Sequence, residues 1–94
     1  MAKLSARGRT EVWRVEKRVP SQSGGELVTT LVLMNDRHIL RNMKAITPQG
    51  KVGHNDGWKQ YMKLKKLPKA EVPAQQTRVK TKLIGDGFKE VPVK

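Results

Sequence analysis

Apolar and polar residues alternate along residues 10–19. Trp13, Val15 and Val19 share one parity, and Arg14, Glu16 and Arg18 the other. Side chains on a strand point to opposite faces in turn, so this period of two predicts a half-buried strand with a charged outer face. Pro20 ends it. Residues 21–25 (SQSGG) contain no apolar anchor and predict a loop. Residues 26–34 (ELVTTLVLM) are apolar on both parities, with Leu27, Leu31 and Leu33 on one and Val28, Val32 and Met34 on the other. A strand of that kind is central in its sheet or covered twice. Asn35 and Asp36 tolerate left-handed backbone angles and suit a two-residue hairpin turn. Residues 37–46 return as the next strand. Either Ile39 and Met43 or Leu40 and Ile46 face inward, because Arg41 interrupts one face and Asn42 the other.

The second half of the chain begins with turn signals. Residues 47–50 (TPQG) predict a turn, and residues 51–57, with two glycines, an asparagine and an aspartate, predict a loop. Residues 57–67 fit two templates. As a helix, Trp58, Tyr61, Met62 and Lys65 form a stripe. As a strand, Trp58, Met62 and Leu64 lie on one face and Lys59, Tyr61, Lys63 and Lys65 on the other. The strand separates apolar from charged residues more cleanly and is the reading adopted. Pro68 and Pro73 bracket a linker, and Pro73 suits the first residue of a helix. Residues 74–84 then put Val79, Leu83 and Ile84 on a common face, with Gly85 at the position that commonly ends a helix. Asp86 and Gly87 turn the chain into a short terminal strand over residues 88–93. The sum is one small α+β domain over residues 10–94, an antiparallel sheet of three to four strands with one C-terminal helix packed on it. A flexible basic arm, residues 1–9, precedes it with Lys3, Arg7 and Arg9.

Charge changes this picture more than any motif does. The 94 residues carry 20 lysines and arginines against 8 acids, a formal net charge of +12, and only 4% are aromatic. A domain of this size buries only about 60–65% of its unfolded surface, and self-repulsion adds to that deficit. A polyanionic partner that binds only the folded chain offsets both by mass action. The longest apolar stretch runs from Leu31 to Met34, far short of the roughly 18 residues that cross a membrane. No apolar region follows the first lysine, so no secretory signal is expected. No segment joins a basic face to a wide apolar helical face, so membrane-surface binding is not expected either. The chain has no cysteine, which excludes disulfides and thiolate chemistry and fits a reducing compartment.

Catalysis finds little support. His38 and His54 are the only histidines, and their nearest carboxylates, Asp36 and Asp56, are explained as turn residues. No metal site or cofactor is expected from them. The carboxylates form no pair of the kind acid–base chemistry uses, and no phosphate-binding glycine loop is present. An enzyme is not expected.

Nucleic acid is the stronger reading. Lys59, Lys63, Lys65 and Lys66 surround Tyr61, Lys69 follows a proline, and no acid occurs from Gly57 through Ala70. On one strand face the ammonium groups would meet phosphates while the Tyr61 ring stacks on a base. A lysine-rich edge strand also has a plain structural use, since it discourages edge-to-edge aggregation. Arg78 and Lys82, one helical turn apart and away from Val79 and Leu83, add a second cluster. The first strand adds a third, Arg14, Lys17 and Arg18, diluted by Glu11 and Glu16, and Arg7 and Arg9 in the arm a fourth, of the kind that enters a minor groove. Trp13 and Trp58 are expected to pack in the core. The expected partner is DNA or RNA, bound through the phosphate backbone with little sequence preference. The alternative is an acidic surface on a host protein, which the same charge would steer equally well. Oligomeric state is not readable.

The order of the segments SARGRTEVWRVEK, TLVLMNDRHIL, DGWK and GDGFKEV resembles that of short basic proteins encoded by bacteriophages. The likeness spans most of the chain through motifs of low specificity. It implies a phage-like origin and the bacterial cytoplasm as workplace, and it brings no catalytic residue with it.

Overall fold

The structure, a computed structural model, describes residues 10–22 and 24–93. The arm at residues 1–9, with Arg7 and Arg9, therefore lies outside the described residues. Five strands form one sheet in the order β4-β3-β2-β1-β5. They are β1 (Glu11–Pro20), β2 (Glu26–Met34), β3 (His38–Ile46), β4 (Val52–Lys63) and β5 (Lys89–Val91), and every pairing is antiparallel. The first four make a meander. A single turn of 3-10 helix (Lys69–Glu71) then leads into α1 (Val72–Gly85), which carries the chain across the sheet to β5. The α+β class stands, with five strands in place of the expected three to four. The fifth is three residues long and pairs with Arg14, Val15 and Glu16 along the outer side of β1.

The central position of β2 explains why both of its faces are apolar. On one face Trp13, Val15, Leu31, Leu33, Ile39 and Leu64 form a buried cluster, and Val79 and Leu83 of α1 and Phe88 pack against it. On the other face Val32, Met34 and Leu40 are buried together, with Trp58 packed beside them. Ile39 and Leu40 thus serve opposite faces, which settles the ambiguous period of β3. Trp13 sits deep, at 3% exposure, and its indole N–H donates to the Gln76 carbonyl at 3.2 Å. That bond fixes the start of α1 over β1. At the other end Lys17 Nζ donates to the Asp86 carbonyl at 3.0 Å, so α1 runs alongside β1. The helix packs on β1 and β5 and leaves β3 and β4 on the same sheet face without a helical cover.

Local chemistry departs from expectation at four places. The β2–β3 hairpin has three loop residues, with Arg37 in the left-handed region at φ 75° and its N–H donating to the Met34 carbonyl at 3.1 Å. A turn followed by one left-handed residue matches the right-handed twist of the strands, as a plain two-residue type I turn does not. Next, β4 starts at Val52, inside the expected loop, and ends at Lys63. Its twelve residues pair with nine of β3, and three register shifts absorb the excess. Gly57, at φ 78°, lies within one of them. Bulges of this kind admit Gly, Asn and Asp into a strand and increase its twist.

The third departure concerns the helix ends. Val72 and Pro73 both lie in α1, and Gly85 is its last residue; Gly87, at φ 105°, supplies the left-handed turn beyond it. The Gly87 N–H donates to Ile84 and the Phe88 N–H to Leu83, both at 3.1 Å. This is the Schellman arrangement, completed by Phe88 and Leu83 packing on the same core. Fourth, Ile84 is exposed and does not share the buried face with Val79 and Leu83. The inward stripe begins instead at Gln75, which is buried. No helix is long and apolar enough to cross a membrane among the described residues.

Candidate nucleic-acid interface

Three of the eight acids, Glu11, Glu16 and Glu26, neutralise arginines of β1. Glu11 pairs with Arg14, and Arg18 reaches both Glu16 at 3.0 Å and Glu26 at 3.3 Å. The Arg18 guanidinium pKa is raised still further above its usual value by the hydrogen bond and the charge of Glu16. Lys80 pairs with Glu90 across α1 and β5 at 3.2 Å. His38 lies beside Asp36 and His54 beside Asp56, both on the surface of the β3–β4 half. None of the described acids stands within ion-pair distance of Lys59, Lys63, Lys65, Lys66 or Lys69. All five are exposed. The edge formed by β1 and β5 is therefore largely compensated, while the β4 edge and the segment after it are not.

The bulge at Tyr61 rearranges the expected lysine–tyrosine face. Leu40 pairs with Gln60, but the next residue, Ile39, pairs with Met62, so Tyr61 is the inserted residue. Lys59 opposes Arg41 on the sheet face that carries α1, and Tyr61 shares that face, where the Arg41 guanidinium lies 5.5 Å from its ring centroid. Lys63 opposes His38, on the other face. Lys65 lies beyond the strand. The uniform face of Lys59, Tyr61, Lys63 and Lys65 is thus corrected: one extra residue inverts the alternation. For the same reason Trp58 lies across the sheet from Met62 and Leu64. Its ring meets the Arg14 guanidinium at 5.4 Å and the second buried cluster, so it is committed to packing.

The segment from Leu64 to Pro68 has no regular structure, yet it is firmly held. The Leu64 N–H donates to the Arg37 carbonyl at 2.8 Å, and Arg37 Nη1 donates back to the Leu64 carbonyl at 3.3 Å. One residue later, Gln75 Nε2 donates to the Lys65 carbonyl at 2.8 Å. These bonds set Lys65 and Lys66 between the end of β4 and the start of α1. Arg78 follows one turn after Gln75 and is exposed, so the cationic strip continues onto the first half of the helix. Lys82 is exposed as well but lies near the end of α1 that meets Lys17. There it favourably opposes the helix dipole, and the structure does not gather it with the β4 lysines.

Three residues that matter here had weak sequence signals. Arg41 looked like an interruption of a strand face and proves to be the partner of Tyr61. Arg37 and Gln75 hold the lysine segment through main-chain bonds that depend on tertiary packing. No protein-family model matches the chain, and no curated protein or solved structure matches it either, so the site rests on its own geometry.

Proposed function

We propose that this protein binds DNA or RNA through the phosphate backbone, with little sequence preference. The observation that carries the reading is the uncompensated row of cations along the β4 edge, Lys59 on one sheet face and Lys63 on the other, continued by Lys65, Lys66 and Lys69, exposed and without an acid partner while the β1–β5 side is largely neutralised. Cations that are not already paired release condensed counterions when they meet phosphates, and that release supplies most sequence-independent affinity. Arg78 extends the row. Lys82 would add charge from outside it, and Arg7 and Arg9 would contribute two further cations. Lysine suits this use, since it acts as a point charge and not as a planar fork that reads base edges.

Binding of a labelled oligonucleotide, followed by anisotropy at low salt after removal of copurified nucleic acid, tests the proposal. Dissociation constants in the micromolar range or below, similar for unrelated sequences, are expected. Absence of binding to both single-stranded and duplex DNA and RNA would end it and transfer the cationic strip to the alternative partner, an acidic protein surface.

A further inference from the structure

We infer that Tyr61 and Arg41 form a stacking platform that makes the ligand single-stranded. This inference rests on the proposed nucleic-acid reading and narrows it. Three observations carry it. Tyr61 is 47% exposed on a strand, although a tyrosine ring normally finds cover. It is the inserted residue of a bulge, and bulges commonly re-aim one side chain out of the regular alternation. The Arg41 guanidinium lies against the ring, which steadies it and leaves the rest of the ring open.

The surroundings agree. Lys59 lies on the same sheet face, two residues before Tyr61 and opposite Arg41, so a cation flanks the ring where a phosphate would follow a stacked base. Because α1 stands over β1 and β5, this part of the face is an open shelf. Arg41 has no acid partner among the described residues. In a duplex both faces of an internal base are already covered by its neighbours. A ring fixed on a sheet reaches a free base face only in an unpaired strand, and every base offers one, so the contact tolerates any sequence. Arg41 acts as a positioning residue for the ring.

The test compares three ligands of equal length: a thymidine oligonucleotide, the same backbone with abasic sugars, and a duplex. Tyr61→Leu is expected to weaken the thymidine oligonucleotide roughly tenfold or more and to leave the abasic strand and the duplex unchanged. Tyr61→Phe is expected to bind all three like the parent protein. Arg41→Lys keeps the charge but loses the plate, and is expected to weaken only the thymidine oligonucleotide. Equal losses on all three ligands with Tyr61→Leu would overturn the platform and make the ring structural. Full binding by that variant, with the steep salt dependence intact, would overturn the platform and leave phosphate binding standing. No binding of any ligand by the parent protein would remove both.

Discussion

The buried side chain of Gln75 donates its amide to the main-chain carbonyl of Lys65, across ten residues of sequence and at 2.8 Å. The bond joins the first turn of α1 to the irregular segment that bears the lysines. It explains how an exposed, apolar-poor stretch keeps a defined path without strand or helix. A carbonyl left unsatisfied next to a buried side chain costs about 1–3 kcal/mol. Gln75→Leu should lower stability in urea by that amount. Thr77→Ala, exposed in the same part of the helix, should change it by less than about 0.5 kcal/mol. Equal stability of the two variants would show that the bond does not hold the segment.

Gly25 stands where β2 leaves the first loop, and a Cβ placed there would lie 1.8 Å from the Ile46 carbonyl oxygen. The clash is with backbone at the end of β3, which cannot yield as a flexible side chain does. Gly25→Ala is expected to cost about 2–3 kcal/mol. Gly50→Ala meets no atom within 4 Å but sits at φ 85°, so its cost is the left-handed penalty alone, about 1–2 kcal/mol. Thermal unfolding of the two variants should rank Gly25→Ala as the less stable.

Arg37 carries a left-handed backbone at φ 75° and spends its guanidinium on the Leu64 carbonyl. These two features oppose each other in a glycine variant. Arg37→Gly removes roughly 1 kcal/mol of backbone strain and loses a hydrogen bond of similar net worth. Its stability should fall within about 0.5 kcal/mol of the parent. Arg37→Val gains nothing in exchange and forces a β-branched residue into that region, so a loss of at least about 2 kcal/mol is expected. Chemical denaturation of both variants separates the backbone effect from the side-chain effect.

The meander and its central strand were legible because burial on one or two faces writes itself into the period of a strand. Residues 10–19 alternate, residues 26–34 do not, and they form the outer and the central member of the pair β1–β2. The helix was legible from Pro73, Val79 and Leu83. What escaped was whatever depends on a partner strand. A bulge at Tyr61 leaves no mark in the periodicity of β4 alone, because it is defined by the nine residues of β3 opposite twelve. Gly85 and Gly87 offer the same signal two residues apart, and only the packing of Phe88 beside Leu83 selects the second. The cationic residues of the candidate site could be named from composition. Their separation into a neutralised side at β1 and an uncompensated edge at β4 was legible in part, since Glu11 and Glu16 stand close to Arg14 and Arg18 in sequence and no acid occurs from Gly57 through Ala70; the pairs Arg18–Glu26 and Lys80–Glu90 depend on the fold.

Salt dependence reads the number of phosphates neutralised, so it tests the central claim most directly. With about five contacts from the β4 strip, the logarithm of the association constant for a single-stranded oligonucleotide should fall with log salt at a slope near −3.5. Replacing Lys63, Lys65 and Lys66 with glutamine should flatten that slope by about 2, while replacing Arg18, already paired with Glu16 and Glu26, should leave it within about 0.5 of the parent. A parent slope near zero between about 50 and 200 mM salt, or a slope that responds to Arg18 and not to the three lysines, would contradict the account.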